Sequence, residues 1–303
     1  MSDIYAAPAA PPSATPLPAF PAEAFDRLLP WAFSEDEGHG DVTSLATIAE
    51  GTVGRARLLC KQAGVIAGLP LVERVFRHRG YHPTLNLLCR EGEAVAPGRA
   101  LMDIQGPMRA LLVCERILLN FLQRLSGIAS VSREYADALG SSTTRLLDTR
   151  KTMPGYRALD KYAVATGGGT NHRMGLYDMV LVKDNHAEAC GSVRAAVDKV
   201  HADYAGKYTV EAEVRTLAEL ETLLDAPVDI VLLDNMDDGT LKEAVAMARS
   251  RAPRLKLEAS GNMDLERVRR IRDFGLDYVS VGALTHSVRA LDISLDIVGE
   301  ASK

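Results

Sequence analysis

From Gly140 onward, short apolar runs are each followed by a stretch with helical spacing, and this alternation constrains the fold more than any other feature of the sequence. The runs are Arg145–Asp148, Met179–Lys183, Tyr208–Glu213, Ile230–Asp234, Leu255–Ala259 and Tyr278–Val281. A strand followed by a helix, repeated, means parallel strands joined by crossover helices. Such units number two fewer than the roughly eight that close a β/α barrel, so an open parallel sheet or an incompletely closed barrel is expected. Thr216 stands three residues before Glu219 as a capping box for a helix from Leu217, and Asn262 or Asp264 can begin the helix holding Val268 and Ile271.

The chain before Gly140 has a different rhythm. Between Ala24 and Gly106 a short helix around Phe25–Ala32 precedes strand-like runs at Ala56–Cys60, Leu85–Cys89 and Leu101–Ile104, with Gly64, Gly68, Gly92 and Gly98 as turns. This pattern predicts a small α/β or α+β domain. Two helices are predicted next, Arg109–Leu125 and Ile128–Leu139, separated by a break at Ser126-Gly127, with Arg116, Asn120 and Arg124 on the polar face of the first.

Composition narrows the function. A net charge of -5 and a pI near 5.8 give no basic field for nucleic acid. Cys60, Cys89, Cys114 and Cys190 lack metal-ligand spacing and read as reduced packing residues. The Ala/Pro-rich start has no positive n-region, and no apolar run approaches the roughly 20 residues that cross a bilayer. A disordered leader, a cytoplasmic location and no membrane partner are therefore expected.

Polar residues gather where the predicted barrel strands end, the edge at which β/α barrels build active sites. Asp148, Thr149, Arg150 and Lys151 follow one strand, Lys183 with Asp184, Asn185 and His186 another, and His172 and Arg173 lie in the loop between. Arg150, Lys151, His172, Arg173 and Lys183 together suit a small polyanion, because Arg offers a planar fork and Lys a compact charge. Glu213 and Asp234 end the next two strands, where they could hold ribose hydroxyls, bind Mg²⁺, stabilise an oxocarbenium ion or simply neutralise the lysines. Ser260-Gly261-Asn262 and Val281-Gly282-Ala283 each join a strand to a helix start, where small residues and backbone N–H groups can cradle a phosphate or merely turn the chain. Gly167-Gly168-Gly169 lacks Walker spacing, and no GxGxxG opens a βαβ unit, so no nucleotide loop is read there.

The run LLDTRKTMPGYRALDKYAVATGGGTNHRMGLYDMVLVKDNH, Leu146 to His186, closely resembles the signature of quinolinate phosphoribosyltransferases. EDEGHGDVTS (Glu35–Ser44), AGVIAG (Ala63–Gly68), ERILLNFLQRLSGIAS (Glu115–Ser130), VEAEV (Val210–Val214), LLDNM (Leu232–Met236), EASGN (Glu258–Asn262) and VSVGALTHS (Val279–Ser287) occur in that family's order. Met153 and Ala212 depart from the familiar pattern without touching a charged role.

The resemblance implies an N-terminal α/β sandwich joined to an open β/α barrel of about six parallel strands. It places the leader at residues 1–22, the sandwich at 23–115 with 287–303 packing back on it, and the barrel at 116–286. It implies a homodimer, or an assembly of dimers, with shared active sites, and Mg²⁺ as cofactor. The reaction implied joins quinolinate and phosphoribosyl pyrophosphate to give nicotinate mononucleotide, pyrophosphate and CO2. By the same resemblance Thr149, Arg150, Lys151, His172, Arg173 and Lys183 bind quinolinate, and Arg116 of the neighbouring subunit completes the pocket. Lys151, Glu213 and Asp234 are the expected catalytic residues, with Glu213 and Asp234 at the ribose and Mg²⁺-pyrophosphate end. Ser260, Gly261, Asn262, Val281, Gly282 and Ala283 are expected around the 5′-phosphate, with His286 close by. Alternatives are a molybdenum-transport-associated paralogue with another substrate, a Schiff-base aldolase using Lys183, and a non-catalytic phosphate-sensing module.

Overall fold

The computed structural model describes residues 17–298. Its strands are β1 (Val53–Cys60), β2 (Gly64–Val65), β3 (Thr84–Leu87), β4 (Ala94–Val95), β5 (Ala100–Pro107), β6 (Arg145–Leu147), β7 (Val180–Val182), β8 (Val210–Val214), β9 (Ile230–Asp234), β10 (Lys256–Ser260), β11 (Tyr278–Ser280) and β12 (Ile293–Ile297). The chain forms two compact units. The first runs to Arg133 and takes in Thr152–Gly168 and the chain from Leu284 onward; the second is Glu134–Lys151 with Gly169–Ala283.

The first unit is built on an antiparallel sheet ordered β12-β1-β5-β3. Strand β1 alternates strictly, sending Gly54, Ala56, Leu58 and Cys60 inward, as a half-buried strand must. Opposite Leu58 stand Met102 of β5 and Leu295 of β12, so residues more than two hundred positions apart share one hydrophobic layer. The helix Pro70–His78 buries Leu71, Val72, Val75 and Phe76, with Pro in its first turn, where the missing N–H costs nothing.

The sequence-based expectation differs from this in four ways. The boundary falls at Arg133 rather than 115, and the segment Thr152–Gly168, expected in the barrel, belongs to the first unit. Residues 1–16 of the expected leader lie outside the described residues, but its end is structured: Phe20 packs edge-on against Phe25 and Tyr162, and a helix starts at Ala22. The helix expected around Phe25–Ala32 is two, Ala22–Asp26 and Leu29–Asp36.

The break expected at Ser126-Gly127 does not exist, because a single helix runs from Met108 to Leu139. Both residues serve packing instead. The Ser126 hydroxyl accepts the Ala67 N–H at 3.1 Å, and a Cβ on Gly127 would collide with the carbonyl oxygen of Arg289. Glycine is there for close approach of another backbone, at the modest helix-propensity cost of about 1 kcal/mol.

The second unit is a six-stranded parallel sheet ordered β6-β11-β10-β9-β8-β7. Strands β7 to β11 are neighbours in chain order and β6 joins at β11, so β6 and β7 form the two edges and the barrel stays open between them. Every predicted barrel strand is present within two residues of its expected bounds. Thr216 and Glu219 form a reciprocal capping box, and Asp264, not Asn262, caps the helix Leu265–Ile271. All four cysteines are free thiols. No helix among the described residues is long and apolar enough to cross a membrane.

Candidate active site

The C-terminal ends of β6 to β11 carry the predicted residues, and the backbone there is held by the acids between them. At the end of β6, fully buried Asp148 accepts the His172 N–H and the Asn171 side-chain amide, both at 2.8 Å. Those bonds draw the 171–173 loop onto β6, helped by a parallel bridge between Leu147 and Thr170. The loop is closed further on by Asp178, which accepts the N–H groups of Met174 and Gly175. Thr149 tightens the next turn by accepting the Lys151 N–H at 3.1 Å, and leaves Lys151 exposed.

Arg173 points its guanidinium at the Met179 carbonyl, 3.2 Å away. Burial and then the neighbouring charge of Arg150 lower its pKa, which means that two guanidinium groups are held together in a partly desolvated setting. The charges of Glu211 and Asp178 oppose that shift without cancelling it. The paired guanidinium groups suit an anion with more than one carboxylate.

His172 behaves differently from the cation expected of it. Its Nδ1 accepts the Arg173 N–H at 2.7 Å, so that nitrogen carries no proton, while Nε2 stands 2.9 Å from Glu211 and 3.6 Å from Glu258. The ring is thereby read as the neutral Nε2–H tautomer donating to Glu211. Of the expected cations, Arg150 and Arg173 lie within reach of each other and Arg173 and Lys183 both act on Glu211, while His172 is a neutral positioned donor.

Glu211 of β8 and Glu258 of β10 are both buried, at 0% and 1% exposure. Glu211 Oε1 and both Glu258 oxygens have no hydrogen-bond partner among the described residues, and a proton held between the two carboxyls would satisfy part of that lack. Burial raises both pKa values, and for Glu258 the charge of Glu211 adds to the rise. With His172 they form a group whose ligand atoms lie within 4.8 Å of one another, a geometry that could also hold a cation. The signal available in sequence was the alternation in VEAEV, which turns Glu211 and Glu213 to the same face.

The raised values set a sign for pH dependence. A carboxyl whose folded-state pKa lies above its ordinary 4.5 contributes stability that is complete below that value and is lost as pH rises through the folded-state value. Carboxylates with lowered values, such as Asp26 and Asp277, are ionised in both states above about pH 5 and add no slope there. We expect the melting temperature to fall less steeply between about pH 5 and about pH 8.5 in Glu258→Gln than in the wild type. Parallel pH profiles would show that the pair does not hold a shared proton.

At the acidic end, Glu213 Oε2 accepts from Lys183 Nζ at 2.9 Å, and Arg215 lies within 3.5 Å of both Glu213 and Asp234. Arg215 also pairs with Asp184 at 2.7 Å. Sequence reading missed Arg215, which stands just beyond the motif. The pairing of Lys183 with Glu213 gives its ammonium a charge partner, the opposite of the desolvated setting that activates an aldolase lysine.

The two glycine turns differ in how they are held. Gly261 has φ +93° and Asn262 φ +50°, and a Cβ at Gly261 would run into the Asn235 side chain. Asn235, itself at φ +54°, donates its N–H to the Ser260 carbonyl at 3.0 Å, so the ends of β9 and β10 are tied together. The turn carries little side-chain bulk at Gly261, which leaves room for an anion to approach the backbone N–H groups. Val281 is buried and its N–H bonds the Leu147 carbonyl, followed by Gly282 and by Ala283 at the start of a one-turn helix. Arg116 and His286 belong to the first unit: Arg116 is exposed on the Met108–Leu139 helix, and exposed His286 sets Nδ1 2.8 Å from the Ser287 hydroxyl.

An open parallel barrel with cations, carboxylates and glycine turns at one strand edge defines a protein that handles a phosphorylated small anion. Residues 41–126 match the family described as quinolinate phosphoribosyl transferase, N-terminal domain, and residues 128–296 match its C-terminal domain. A quinolinate phosphoribosyltransferase [decarboxylating] from Nicotiana tabacum is 42% identical over 299 residues, covering 92% of this chain and 84% of the relative. A probable nicotinate-nucleotide pyrophosphorylase [carboxylating] of Bacillus subtilis is 38% identical over 271 residues, 89% of this chain and 92% of the relative. The crystal structure of NadC from Streptococcus pyogenes superposes with a TM-score of 0.85 at 39% identity, covering 90% and 96% of the two chains. This chain belongs to the quinolinate phosphoribosyltransferase family.

Proposed function

We propose that this protein transfers the phosphoribosyl group of phosphoribosyl pyrophosphate to quinolinate, yielding nicotinate mononucleotide, pyrophosphate and CO2 for NAD biosynthesis. The observation that carries this reading, together with the family, is the desolvated guanidinium of Arg173 held beside Arg150, a charge arrangement made for a dicarboxylate. Lys151 adds an exposed ammonium on the same side, and His172 contributes a fixed neutral ring.

In this reading the pyridine nitrogen attacks C1 of the ribose, the N–C1 bond forms, and the C1–O bond breaks with its electron pair leaving on pyrophosphate. Glu213 and Asp234 would face the positive charge that develops at C1 and stabilise it electrostatically. Loss of the 2-carboxyl as CO2 leaves an electron pair on the ring carbon that takes up a proton. Ser260, Gly261 and Asn262, and across the sheet Val281, Gly282 and Ala283, would hold the 5′-phosphate.

Mg²⁺ fits the residues present. Glu213 and Asp234 offer hard oxygen donors from adjacent strands, and Mg²⁺ takes only one or two carboxylates, with water and phosphate completing its shell. When bound it would neutralise charge on the leaving pyrophosphate.

The working form in this proposal is a homodimer in which Arg116 enters the partner's site, supported by its exposure on a helix outside the barrel unit. A native mass of one chain at assay concentration would remove that part. The cytoplasm is proposed as its location, supported by four free thiols in a chain of this size.

Incubation with quinolinate, phosphoribosyl pyrophosphate and Mg²⁺ should produce nicotinate mononucleotide, with nicotinate a very poor substitute because it lacks the second carboxylate that the two arginines require. Comparable turnover of nicotinate would sink the assignment of the cationic pocket. The molybdenum-associated and aldolase readings would each leave quinolinate unconsumed.

A further inference from the structure

We propose that Arg215 is the exchangeable cation of the acidic end of the site: it neutralises Glu213 and Asp234 when no substrate is bound, and passes its guanidinium to a pyrophosphate oxygen when the metal-bound substrate arrives. The inference rests on the phosphoribosyl-transfer reading and extends it to a residue beyond the recognised motifs.

The argument begins with where Arg215 is anchored. It directly precedes the helix cap Thr216, and its backbone N–H is held by the Glu219 carboxylate at 2.7 Å, so the side chain projects from a fixed point at the end of β8. From there it meets three carboxylates: Asp184 at 2.7 Å, and Glu213 and Asp234 at 3.5 Å each. The side chains of Glu213 and Asp234 are only 6% and 13% exposed, and ionised together they would repel without a cation between them. Arg215 supplies that cation at long, loose contacts. Lys183, by contrast, grips Glu213 at 2.9 Å.

The same distances decide which cation gives way. A divalent ion taking Glu213 or Asp234 must displace an N–H donor, and the contacts at 3.5 Å are weaker than the one at 2.9 Å. The remaining hold on Arg215, the Asp184 pair, is half-exposed and screened by water, so it yields readily. Once released, the guanidinium is already at the mouth with a planar fork suited to phosphate oxygens. Among the described residues, the ion pairs at this end join three carboxylates to Lys183 and Arg215, so Arg215 is the loosely held cation that a pyrophosphate arriving with its metal meets.

The test is titration calorimetry of the intact protein with pyrophosphate, with and without Mg²⁺, beside steady-state kinetics. Arg215→Gln should weaken Mg²⁺-dependent pyrophosphate binding by about tenfold or more. It should raise KM for phosphoribosyl pyrophosphate by a similar factor and leave quinolinate binding unchanged, with Arg215→Lys recovering part of the loss. Asp184→Asn removes the competing partner and should hold or tighten pyrophosphate binding, whereas a merely structural Asp184–Arg215 pair would make both variants weaker. Pyrophosphate affinity within twofold of wild type in Arg215→Gln, equal losses for both substrates, or weakened binding in Asp184→Asn would each overturn the proposal. If no nicotinate mononucleotide is formed by the wild type, the functional reading fails; the pyrophosphate isotherms still decide the role of Arg215.

Discussion

Arg173→Ala is expected to fold normally and to lose most of its affinity for quinolinate. The guanidinium is partly desolvated, lies beside the charge of Arg150 and is anchored at the Met179 carbonyl, so in the free protein it is a charge held ready at some cost. Bound to a carboxylate it becomes one partner of a desolvated pair, and truncating such a partner costs about 2–5 kcal/mol. That is a factor between roughly thirty and several thousand in Kd. Folding should change little, because the lost attraction to Glu211 and Asp178 is offset by relief of the burial cost and of the repulsion with Arg150. Calorimetric titration with quinolinate alone, beside a thermal melt, separates the two effects. A wild-type isotherm in this variant would place the dicarboxylate elsewhere in the molecule.

Asp160→Ala should have the largest effect on stability. Asp160 is fully buried in the Thr152–Gly168 segment and receives Nε and Nη2 of Arg124 at 3.1 and 2.9 Å, a two-point pairing that also brings the guanidinium 5.7 Å from the ring centre of Tyr156. Burial raises the Asp160 pKa despite the opposing pull of Arg124, which shows how strongly the carboxylate depends on that partner to be tolerated inside. Removing it leaves the guanidinium mostly enclosed without a counter-charge, at a cost of about 3–5 kcal/mol. Asp160→Asn keeps the shape and one acceptor, so it should lose less. The midpoint of urea unfolding reads both, at unchanged slope. A loss under about 1 kcal/mol in Asp160→Ala would mean that water replaces the carboxylate and that the pair is not structural.

The same residues show where sequence reasoning reached its limit. The sequence puts Arg124 on the polar face of a helix, because helical spacing tells which residues share a side, but not what is packed against that side. Its partner arrives from a segment that leaves the barrel's run of sequence and joins the other unit. Gly127 was read as a break for a related reason: glycine lowers helix propensity locally, and only the approach of the Arg289 carbonyl explains why the helix continues through it. Arg215 carried no signal at all, since its importance lies in three distances to acids drawn from different stretches of chain.

What the sequence determined by itself was the repeat of strand and helix, the open barrel that too few strands imply, and the strand ends at which the chemistry gathers. Those features follow from local periodicity and from turn residues, which act over a few positions and are visible without knowing the fold. Protonation and charge balance were decided only by the tertiary structure. His172 reads as a cation beside Arg173 in the chain, yet it becomes a neutral donor once the Arg173 N–H occupies one ring nitrogen and Glu211 the other. Glu211 and Glu258 are ordinary acids until β8 and β10 enclose them together, and the raised pKa values that result are a property of burial and separation, quantities that no one-dimensional pattern contains.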